Sequence, residues 1–399
     1  MPNNSLRDNN PDGSVAPDRI CGACGASHWR QLPVVGPCAL LSDGQVGNGA
    51  LAKMTCMRCG LASSVVVPDP GSLNELFTDN YQLYAHPIGD PFERSRQRSY
   101  ALWINDLLGS FRPGTIFEVG CGNGSLLLAL SELFPTTILA GIEPSLAAVK
   151  FAQAAGIDVR PGTLTPVTTE GIRADLLISV NVLEHVPDPA DFLCLMKCIL
   201  MPSGLGIVIC PCGEKPSTEL LIQDHISSFS RASFSHLFSQ AGLRIDRIAD
   251  APSSLGPFVA VVFSAAGETL RDAPPMPGRQ ASELHDARGR YLADWGRLDG
   301  FLVDRIGQSE NILCFGVGEA AHLLATYAPR TWAHVESCTA DGVTKATFRD
   351  KKVFEYGSEI AAKDACVLLA VRPSAQAALT TRLSKDGYRV IRWDDMISE

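Results

Sequence analysis

The sequence predicts an α/β protein with a doubly wound, mostly parallel sheet, a small cysteine-rich module before it and a second, smaller C-terminal α/β domain. Two Cys-x-x-Cys pairs stand near the start of the chain, short apolar strands alternate with amphipathic helices from Pro113 onward, and this alternation resumes after a proline-rich stretch. Such alternation is typical of helices that cover both faces of a parallel sheet. We expect five segments: a disordered tail over 1–16, the cysteine-rich module over 17–80, the main α/β domain over 81–264, a linker over 265–279 and the second α/β domain over 280–399.

The composition excludes several classes of protein. The 399 residues are 46% hydrophobic and 19% charged, which provides enough apolar material for two or three domain cores and argues against a disordered chain. The apolar runs have the length of strands, and residues 1–17 lack the apolar region of a secretion signal. A net charge of −9 argues against nucleic acid as a partner. We therefore expect a cytoplasmic protein that acts on a small molecule and has no membrane segment; the oligomeric state stays open.

The two Cys-x-x-Cys pairs have the spacing of metal-binding knuckles, with 31 residues between them. Four thiolates complete the closed tetrahedral shell that structural zinc prefers, and neighbouring glycines allow the tight turns that knuckles need. A redox pair and unligated thiols are the alternatives, and His28 and Cys38 are candidate substitute ligands. The predicted ligands of a structural Zn²⁺ ion are Cys21, Cys24, Cys56 and Cys59.

Helix boundaries are well marked in the main domain. One helix begins at Asp90-Pro91, with Asp90 as its N-cap; Pro144 opens a second helix, which Gly156 closes, and a third begins at Asp188-Pro189. The predicted strands are Thr115–Val119, Ile138–Ile142, Asp158–Arg160, Asp175–Val180, Leu205–Cys210, Arg244–Ala249 and Phe258–Phe263. The elements predicted for the C-terminal domain are a long helix ending at Ile306, strand Asn311–Phe315, helix Glu319–Tyr327, strand Cys366–Val371, a helix from Ser374 and strand Arg389–Trp393.

A glycine-rich turn follows the first strand of the main domain and precedes a leucine-rich helix. Gly120, Gly122 and Gly124 remove the Cβ atoms that would keep a ligand from the backbone, and the helix start offers unpaired N–H groups. An acidic residue at the end of the second strand, Glu143, is placed to accept hydrogen bonds from a ribose diol. The third glycine comes one position too early for the dinucleotide fingerprint, which argues against pyrophosphate binding.

The run from Glu118 to Gly124 resembles the cofactor loop of class I S-adenosylmethionine-dependent methyltransferases, whose sheet is Rossmann-like. The acidic residue Glu143 and the segment Asn181-Val-Leu183-Glu-His185 match that family in the same order. The resemblance implies that the three glycines line the methionine end of the cofactor and that Glu118 orients the loop or binds the amino group. It further implies that Glu143 holds the ribose and that Asn181 and Leu183 lie near the adenosine.

The order of modules resembles the nucleotide-sugar C-methyltransferases, which join a zinc module, a methyltransferase domain and a C-terminal Rossmann-like domain. A Tyr-His-Glu-His run of that family corresponds to Ile222-Gln-Asp224-His225, in which only the last two positions keep their chemistry. The resemblance implies that His225 takes a proton beside a sugar ketone, that Asp224 fixes its tautomer or relays the proton, and that His185 and Tyr84 stabilise the enolate. It also implies a C-terminal domain that cradles a nucleotide-sugar.

Each of these roles has a structural alternative. His225 would instead cap the helix that begins near Ser230, His185 would only shape its loop, and Tyr84 would only pack. Arg94 and Arg98 fit a solvated helix face better than an anion clamp. The C-terminal run Phe315-Gly316-Val-Gly318-Glu-Ala-Ala321 also allows an NAD site, although Glu319 would repel phosphate.

Two other functions remain open at this stage. One is a SAM-dependent O- or N-methyltransferase that acts on a sugar or another small molecule, because the family's Tyr and His are absent from the four-residue run. The other is a zinc-ribbon protein whose methyltransferase fold assists RNA or protein recognition, which the charge balance does not favour.

Overall fold

The computed structural model describes residues 19–67, 70–78, 81, 91–266, 273–307, 312–343, 345–357 and 366–397. The predicted tail over 1–16, the N-cap Asp90 and the candidate Tyr84 lie outside these residues. Among the residues that the structure describes, every helix is too short or too polar to cross a lipid bilayer.

The N-terminal module consists of short antiparallel strands followed by one helix. Strands β1, β4 and β5 are neighbours in one sheet, and β2 and β3 form a separate hairpin. The elements are β1 (Trp29–Gln31), β2 (Cys38–Leu40), β3 (Val46–Asn48), β4 (Lys53–Cys56), β5 (Ala62–Ser64) and α1 (Pro70–Thr78).

The central domain contains the predicted sheet, and all seven predicted strands occur in it. Its elements are α2 (Pro91–Leu108), β6 (Thr115–Val119), α3 (Ser125–Leu133), β7 (Ile138–Glu143), α4 (Leu146–Ala154), β8 (Asp158–Pro161), β9 (Ala174–Val180), α5 (Pro189–Ile199), β10 (Leu200–Pro211), β11 (Ser227–Ser228), α6 (Arg231–Gln240), β12 (Leu243–Asp250) and β13 (Phe258–Ala265). The strand order is β12-β13-β10-β9-β6-β7-β8, with only β13 antiparallel to its neighbours. The order reverses beside β6, and open α/β sheets bind ligands at the carboxyl ends of the strands at such a point.

Local side chains set the helix starts. Asp188 caps α5 as predicted, because its carboxylate accepts hydrogen bonds from the N–H groups of Ala190 and Asp191. The prediction that Pro144 opens α4 is wrong: the next residue, Ser145, is the N-cap and its hydroxyl accepts from the Ala148 N–H. Proline lacks the side-chain acceptor that a cap requires, so the serine takes that position.

The C-terminal domain is a second α/β unit, as predicted. Its elements are α7 (Gly278–Ile306), β14 (Ile312–Phe315), α8 (Glu319–Tyr327), α9 (Pro329–Ala333), β15 (Val335–Ala340), β16 (Thr347–Phe348), β17 (Lys351–Glu355), β18 (Cys366–Leu369), α10 (Pro373–Lys385) and β19 (Arg389–Arg392). The strand order is β16-β17-β15-β14-β18-β19, and only β16 is antiparallel. Strands β15 to β17 and helix α9 were not predicted, because polar residues interrupt their apolar pattern.

The three units pack together rather than standing apart. Trp295 of α7, Tyr327 of α8 and Trp393 share one apolar core with Leu40 of the N-terminal module and Leu221 of the central domain. Strand β11 of the central domain also completes the N-terminal sheet, where it pairs with β5. The end of the predicted linker is fixed as well, since α7 begins within it at Gly278.

Candidate active site and metal centre

The glycine turn after β6 adopts a left-handed backbone conformation that favours glycine. Gly120 has a φ of 71°, and a Cβ atom there would lie 2.4 Å from Cγ2 of Val182. At Gly122, by contrast, no atom among the described residues would come within 4 Å of an added Cβ. The turn is therefore packed on one side by the segment after β9 and open on the other, where a ligand can reach the backbone.

Two buried carboxylates stand beside this turn. Glu143, at the end of β7, accepts hydrogen bonds from the N–H groups of Gly122 and Ser145, each at 2.8 Å. Burial raises the pKa of Glu143, and these two bonds oppose the rise. Each carboxylate oxygen keeps further acceptor capacity for a ribose hydroxyl. The immediate role of Glu143 is to hold the glycine turn against β7.

Glu118, at the end of β6, is 3% exposed, and its Oε2 lacks a hydrogen-bond partner within the described part of the chain. Burial, together with the charge of Glu143, raises its pKa well above the ordinary value. A buried carboxylate oxygen left without a donor is costly unless a ligand supplies one. The charged amino group of S-adenosylmethionine is such a donor, so the residues around the turn fit that cofactor.

In the segment after β9, Asn181 and Leu183 lie in different surroundings. Asn181 has a φ of 56°, and its buried Oδ1 has no partner in the ranges that the structure describes, which leaves it able to accept from a ligand. Leu183 is fully buried and packs in the core with Phe192 and Leu193. The short 3₁₀ turn of residues 183–185 carries this inward-facing side chain, and its place near the adenosine stays a prediction.

His185 and Asp224 form a pair in which the aspartate is buried and the histidine side chain is 11% exposed. The Nδ1 atom of His185 lies 3.2 Å from Oδ2 of Asp224 and 2.9 Å from the Asp224 carbonyl oxygen. Burial alone would lower the pKa of His185, but the hydrogen bond and the charge of Asp224 outweigh it and raise that pKa. Burial would likewise raise the pKa of Asp224, but the same pair holds it below its ordinary value.

His225 lies against His185 without sharing its carboxylate. The two rings are edge to face, with centroids 4.7 Å apart and an angle of 88°. Nδ1 of His225 is 3.8 Å from Oε2 of Glu219, too far for a hydrogen bond. The prediction that Asp224 orients His225 is wrong: its carboxylate contacts His185, because the turn at residue 183 brings that ring to it.

The structural alternatives can now be compared with the contacts. Helix α6 is capped by Ser230, whose hydroxyl accepts from the Ser233 N–H in a reciprocal capping box, so His225 is not the cap. Arg98 forms an exposed ion pair with Glu132 at 2.8 Å, and Arg94 is exposed, as expected of a solvated helix face.

Several residues of this cluster were not predicted. Ser42 and Tyr81 form a hydrogen-bonded chain to Asp224, with Ser42 Oγ 2.9 Å from the Tyr81 hydroxyl. Glu184 is 2% exposed, burial raises its pKa, and its Oε2 is unpartnered among the described residues. Lys53 is also buried, which lowers its pKa to about 8. Its position in a strand of otherwise small or apolar residues was the one available signal in the sequence.

The four predicted cysteine ligands converge in the N-terminal module. The Sγ atoms of Cys21 and Cys59 are 3.7 Å apart, those of Cys24 and Cys56 are 3.6 Å apart, and all four lie within 4.8 Å of one another. Zinc–sulfur bonds of about 2.3 Å in a tetrahedron place sulfurs ~3.8 Å apart. The four thiols therefore fit a Zn²⁺ ion. His28 and Cys38 do not belong to this cluster in the described structure.

The glycine pair of the C-terminal domain follows β14. A Cβ atom at Gly316 would lie 2.4 Å from the Ala370 carbonyl oxygen, so the turn is packed against the end of β18. The carboxylate of Glu319 accepts a hydrogen bond of 2.5 Å from the Thr218 hydroxyl of the central domain. This contact brings the C-terminal turn to the segment that leads into Asp224.

Part of the chain is similar in sequence to known methyltransferases. Residues 92–248 match the family model of a methyltransferase domain. A ubiquinone biosynthesis O-methyltransferase of Methylobacterium sp. (strain 4-46) is 34% identical over 97 residues, or 23% of this chain and 38% of that protein. The corresponding enzyme of Caulobacter vibrioides (strain ATCC 19089 / CIP 103742 / CB 15) is 32% identical over 103 residues, or 25% of this chain and 41% of that protein.

Among solved structures, the mitomycin 7-O-methyltransferase MmcR is 21% identical, with a TM-score of 0.37 over 44% of this chain and 54% of its own. The chain spans about two fifths of the length of the two curated relatives. The prediction of a methyltransferase enzyme is confirmed for the region that carries the glycine turn and the His185–Asp224 pair. Residues 92–248 are therefore a methyltransferase domain.

Proposed function

We propose that this protein is an S-adenosylmethionine-dependent C-methyltransferase that methylates a nucleotide-linked ketosugar through an enolate. The observation that carries the proposal is the pair of largely buried histidines, of which one is bound to a carboxylate and the other keeps an unpartnered Nδ1 among the described residues. An enolate mechanism requires both a base for the C–H proton and a donor for the developing oxygen anion. Deprotonation of a hydroxyl requires only the base.

The glycine turn is the proposed cofactor site. The open side of Gly122, the orphaned oxygen of Glu118 and the remaining acceptor capacity of Glu143 suit the backbone, amino group and ribose of the cofactor. The cofactor supplies an electrophilic methyl group on a sulfonium. The protein's part is to bind it at the strand ends and to orient the acceptor in line with it.

In the acceptor site, we assign the base to His185 rather than to His225. Asp224 occupies Nδ1 of His185, which leaves the other ring nitrogen to take the proton from the carbon beside the ketone. The C–H electron pair forms the enolate, whose oxygen is stabilised by the ring N–H of His225. The enolate carbon would then be the nucleophile, and the methyl donor held at the glycine turn would supply the methyl group and become the neutral thioether S-adenosylhomocysteine.

The remaining modules have supporting roles in this proposal. The four cysteines would fill all four coordination positions of the Zn²⁺ ion, so the role of the ion in the N-terminal module would be structural. The C-terminal domain would cradle the nucleotide, which its contact with the central domain at Thr218 and Glu319 supports.

A second candidate is O-methylation, or N-methylation, of a sugar or another small molecule. The similarity to O-methyltransferases over about a quarter of the chain favours it. In that case the His185–Asp224 pair would deprotonate a hydroxyl, and His225 would only bind the substrate.

The test is to incubate the purified, metal-loaded chain with S-adenosylmethionine and a panel of nucleotide-linked ketosugars. The proposal expects a methyl singlet on quaternary carbon by NMR, and solvent deuterium at the carbon beside the ketone when methyl donor is omitted. A methoxy product without deuterium exchange would establish the second candidate instead. Failure to bind S-adenosylhomocysteine in calorimetry would overturn both.

A further inference from the structure

The segment that contains Asp224 and His225 forms a series of hydrogen bonds to the four-cysteine module. We call residues 223–228 the catalytic segment. The Gln223 N–H of this segment donates a hydrogen bond to the Leu40 carbonyl of the module at 2.8 Å. In the other direction, Lys53 Nζ of the module donates to the His225 carbonyl at 2.5 Å, and the Ser64 N–H donates to the Ile226 carbonyl at 2.9 Å. Strand β11 then pairs with β5, which places Ser227 opposite Ser63.

Ser42 makes the contact of this set that bears on the chemistry. Its N–H donates to Oδ1 of Asp224 at 2.8 Å and its hydroxyl donates to Oδ2 at 2.5 Å. Both carboxylate oxygens are thus held by one residue, which fixes the rotation of the carboxylate. Oδ2 is the same oxygen that faces His185 at 3.2 Å. Ser42 is 1% exposed, so water does not replace either bond.

Asp224 is the charged group in contact with His185, and it favours the imidazolium more than the other neighbouring groups do. Burial by itself disfavours the imidazolium, and the neighbouring Glu184 adds a smaller attraction than Asp224. The titratable groups that face the pair from the surrounding elements are Asp43 and Lys53 of the module, Tyr81 after α1, Glu184 beside His185, Glu219 of the preceding turn and His225 of the catalytic segment.

We propose that Ser42, a residue of the four-cysteine module, is the positioning residue that holds the Asp224 carboxylate on His185. The module is then part of the catalytic apparatus rather than a separate binding unit. This inference rests on the proposed function, in which His185 is the base. Ser42 does not touch the acceptor; it acts through Asp224.

The test uses the full, metal-loaded chain and its Ser42→Ala and Ser42→Thr variants. Without the serine hydroxyl the carboxylate can turn away, and the largely buried His185 loses the charge that opposes burial. For Ser42→Ala we expect a lower His185 pKa by NMR of labelled histidine and a kcat reduced about 10-fold or more. We expect the acceptor KM to change by less than about 2-fold, and Ser42→Thr to restore both values. Ser27→Ala, at an exposed serine of the same module, is the control.

A double variant separates positioning from folding. Because Ser42 acts through Asp224, the change Ser42→Ala should lower kcat no further in an Asp224→Asn background. A wild-type pKa and kcat in Ser42→Ala, or fully additive losses in the double variant, would overturn the proposal. If His185→Ala and Asp224→Asn both retain methyl transfer, the proposed function fails instead, while the NMR pKa still reports whether Ser42 positions the pair.

Discussion

The glycine turn and the histidine cluster lie at the same sheet edge but are built in different ways. The turn is held by residues of two neighbouring strands and the segment after a third: Glu143 bonds Gly122, and Val182 packs on Gly120. The histidine pair depends on distant residues, since Ser42 reaches Asp224 across 182 positions of the sequence. One site is therefore held by residues of the central domain, whereas the other also depends on contacts from the four-cysteine module. Changes in the module should thus affect methyl transfer and leave cofactor binding in place.

The largest difference between the effect on kcat and the effect on cofactor binding is expected for His185→Ala. Removing the base should lower kcat by about 10²–10⁴-fold, the usual contribution of a positioned general base. The glycine turn is untouched, so the Kd for S-adenosylhomocysteine should stay within about 2-fold. Steady-state kinetics and calorimetry measure the two quantities, with His28→Ala at an exposed histidine as the control. Equal losses in kcat and cofactor affinity would show that the two sites are one unit.

Loss of the proposed Zn²⁺ ion should act on the histidine cluster through the catalytic segment. Cys24→Ser, or removal of metal by a chelator, should lower Tm by at least ~10 °C, because structural zinc contributes folding free energy directly. Methyl transfer should fall with it, since β5 and Ser42 no longer hold residues 223–228. Cys194→Ser, at an exposed cysteine of α5, should change neither value. Full activity of the metal-free chain, measured below its Tm, would contradict a shared site.

The reciprocal change is Gly120→Ala, which should affect the cofactor alone. The added Cβ would meet Val182 at 2.4 Å in a backbone conformation that alanine disfavours. A strain of about 1–3 kcal/mol should weaken S-adenosylhomocysteine binding about 5- to 150-fold. Gly109→Ala is the matched control, because its φ of 57° is similar but no described atom lies within 4 Å of the new Cβ. Unchanged affinity in the Gly120 variant would remove the turn from the cofactor site.

The same contrast explains what could be predicted from the sequence. All seven strands of the central sheet are predicted from the sequence, because an apolar run bounded by glycine or proline is a local signal. The glycine turn and Glu143 were predicted for the same reason. The sequence also predicts the three residues of the histidine cluster, which are His185, Asp224 and His225. It pairs Asp224 with the wrong histidine. Sequence adjacency favoured His225, whereas the fold brings Asp224 to a residue 39 positions earlier.

Residues without a chemical motif could not be found in this way. Ser42 lies in an ordinary Ser-Asp-Gly turn, and nothing near it in the sequence indicates that Asp224 will be its acceptor. Glu184 lies in the segment Asn181–His185, in which the asparagine, leucine and histidine were predicted to have roles and the glutamate was not. Both acquire their roles from tertiary contacts, which bury them at 1% and 2% exposure. Burial of a polar group is decided by the packing of remote elements, and so a single sequence carries no direct record of it.

The smallest expected effect concerns Glu118, and it tests whether the buried carboxyl of this residue destabilises the fold in the absence of the cofactor. Its pKa is raised in the folded chain by burial and by Glu143, so ionisation of this carboxyl costs more in the folded than in the unfolded protein. That cost is absent below the unfolded pKa of about 4.3 and grows as pH rises toward the folded value. Glu118→Gln should therefore raise Tm by about 2 °C at pH 7.5 and leave it unchanged at pH 4.

The same variant should weaken S-adenosylmethionine binding if the carboxylate receives the amino group. Glu170→Gln, at an exposed position, should do neither; a stability gain that persists at pH 4 would show that the ionisation of Glu118 is not its source.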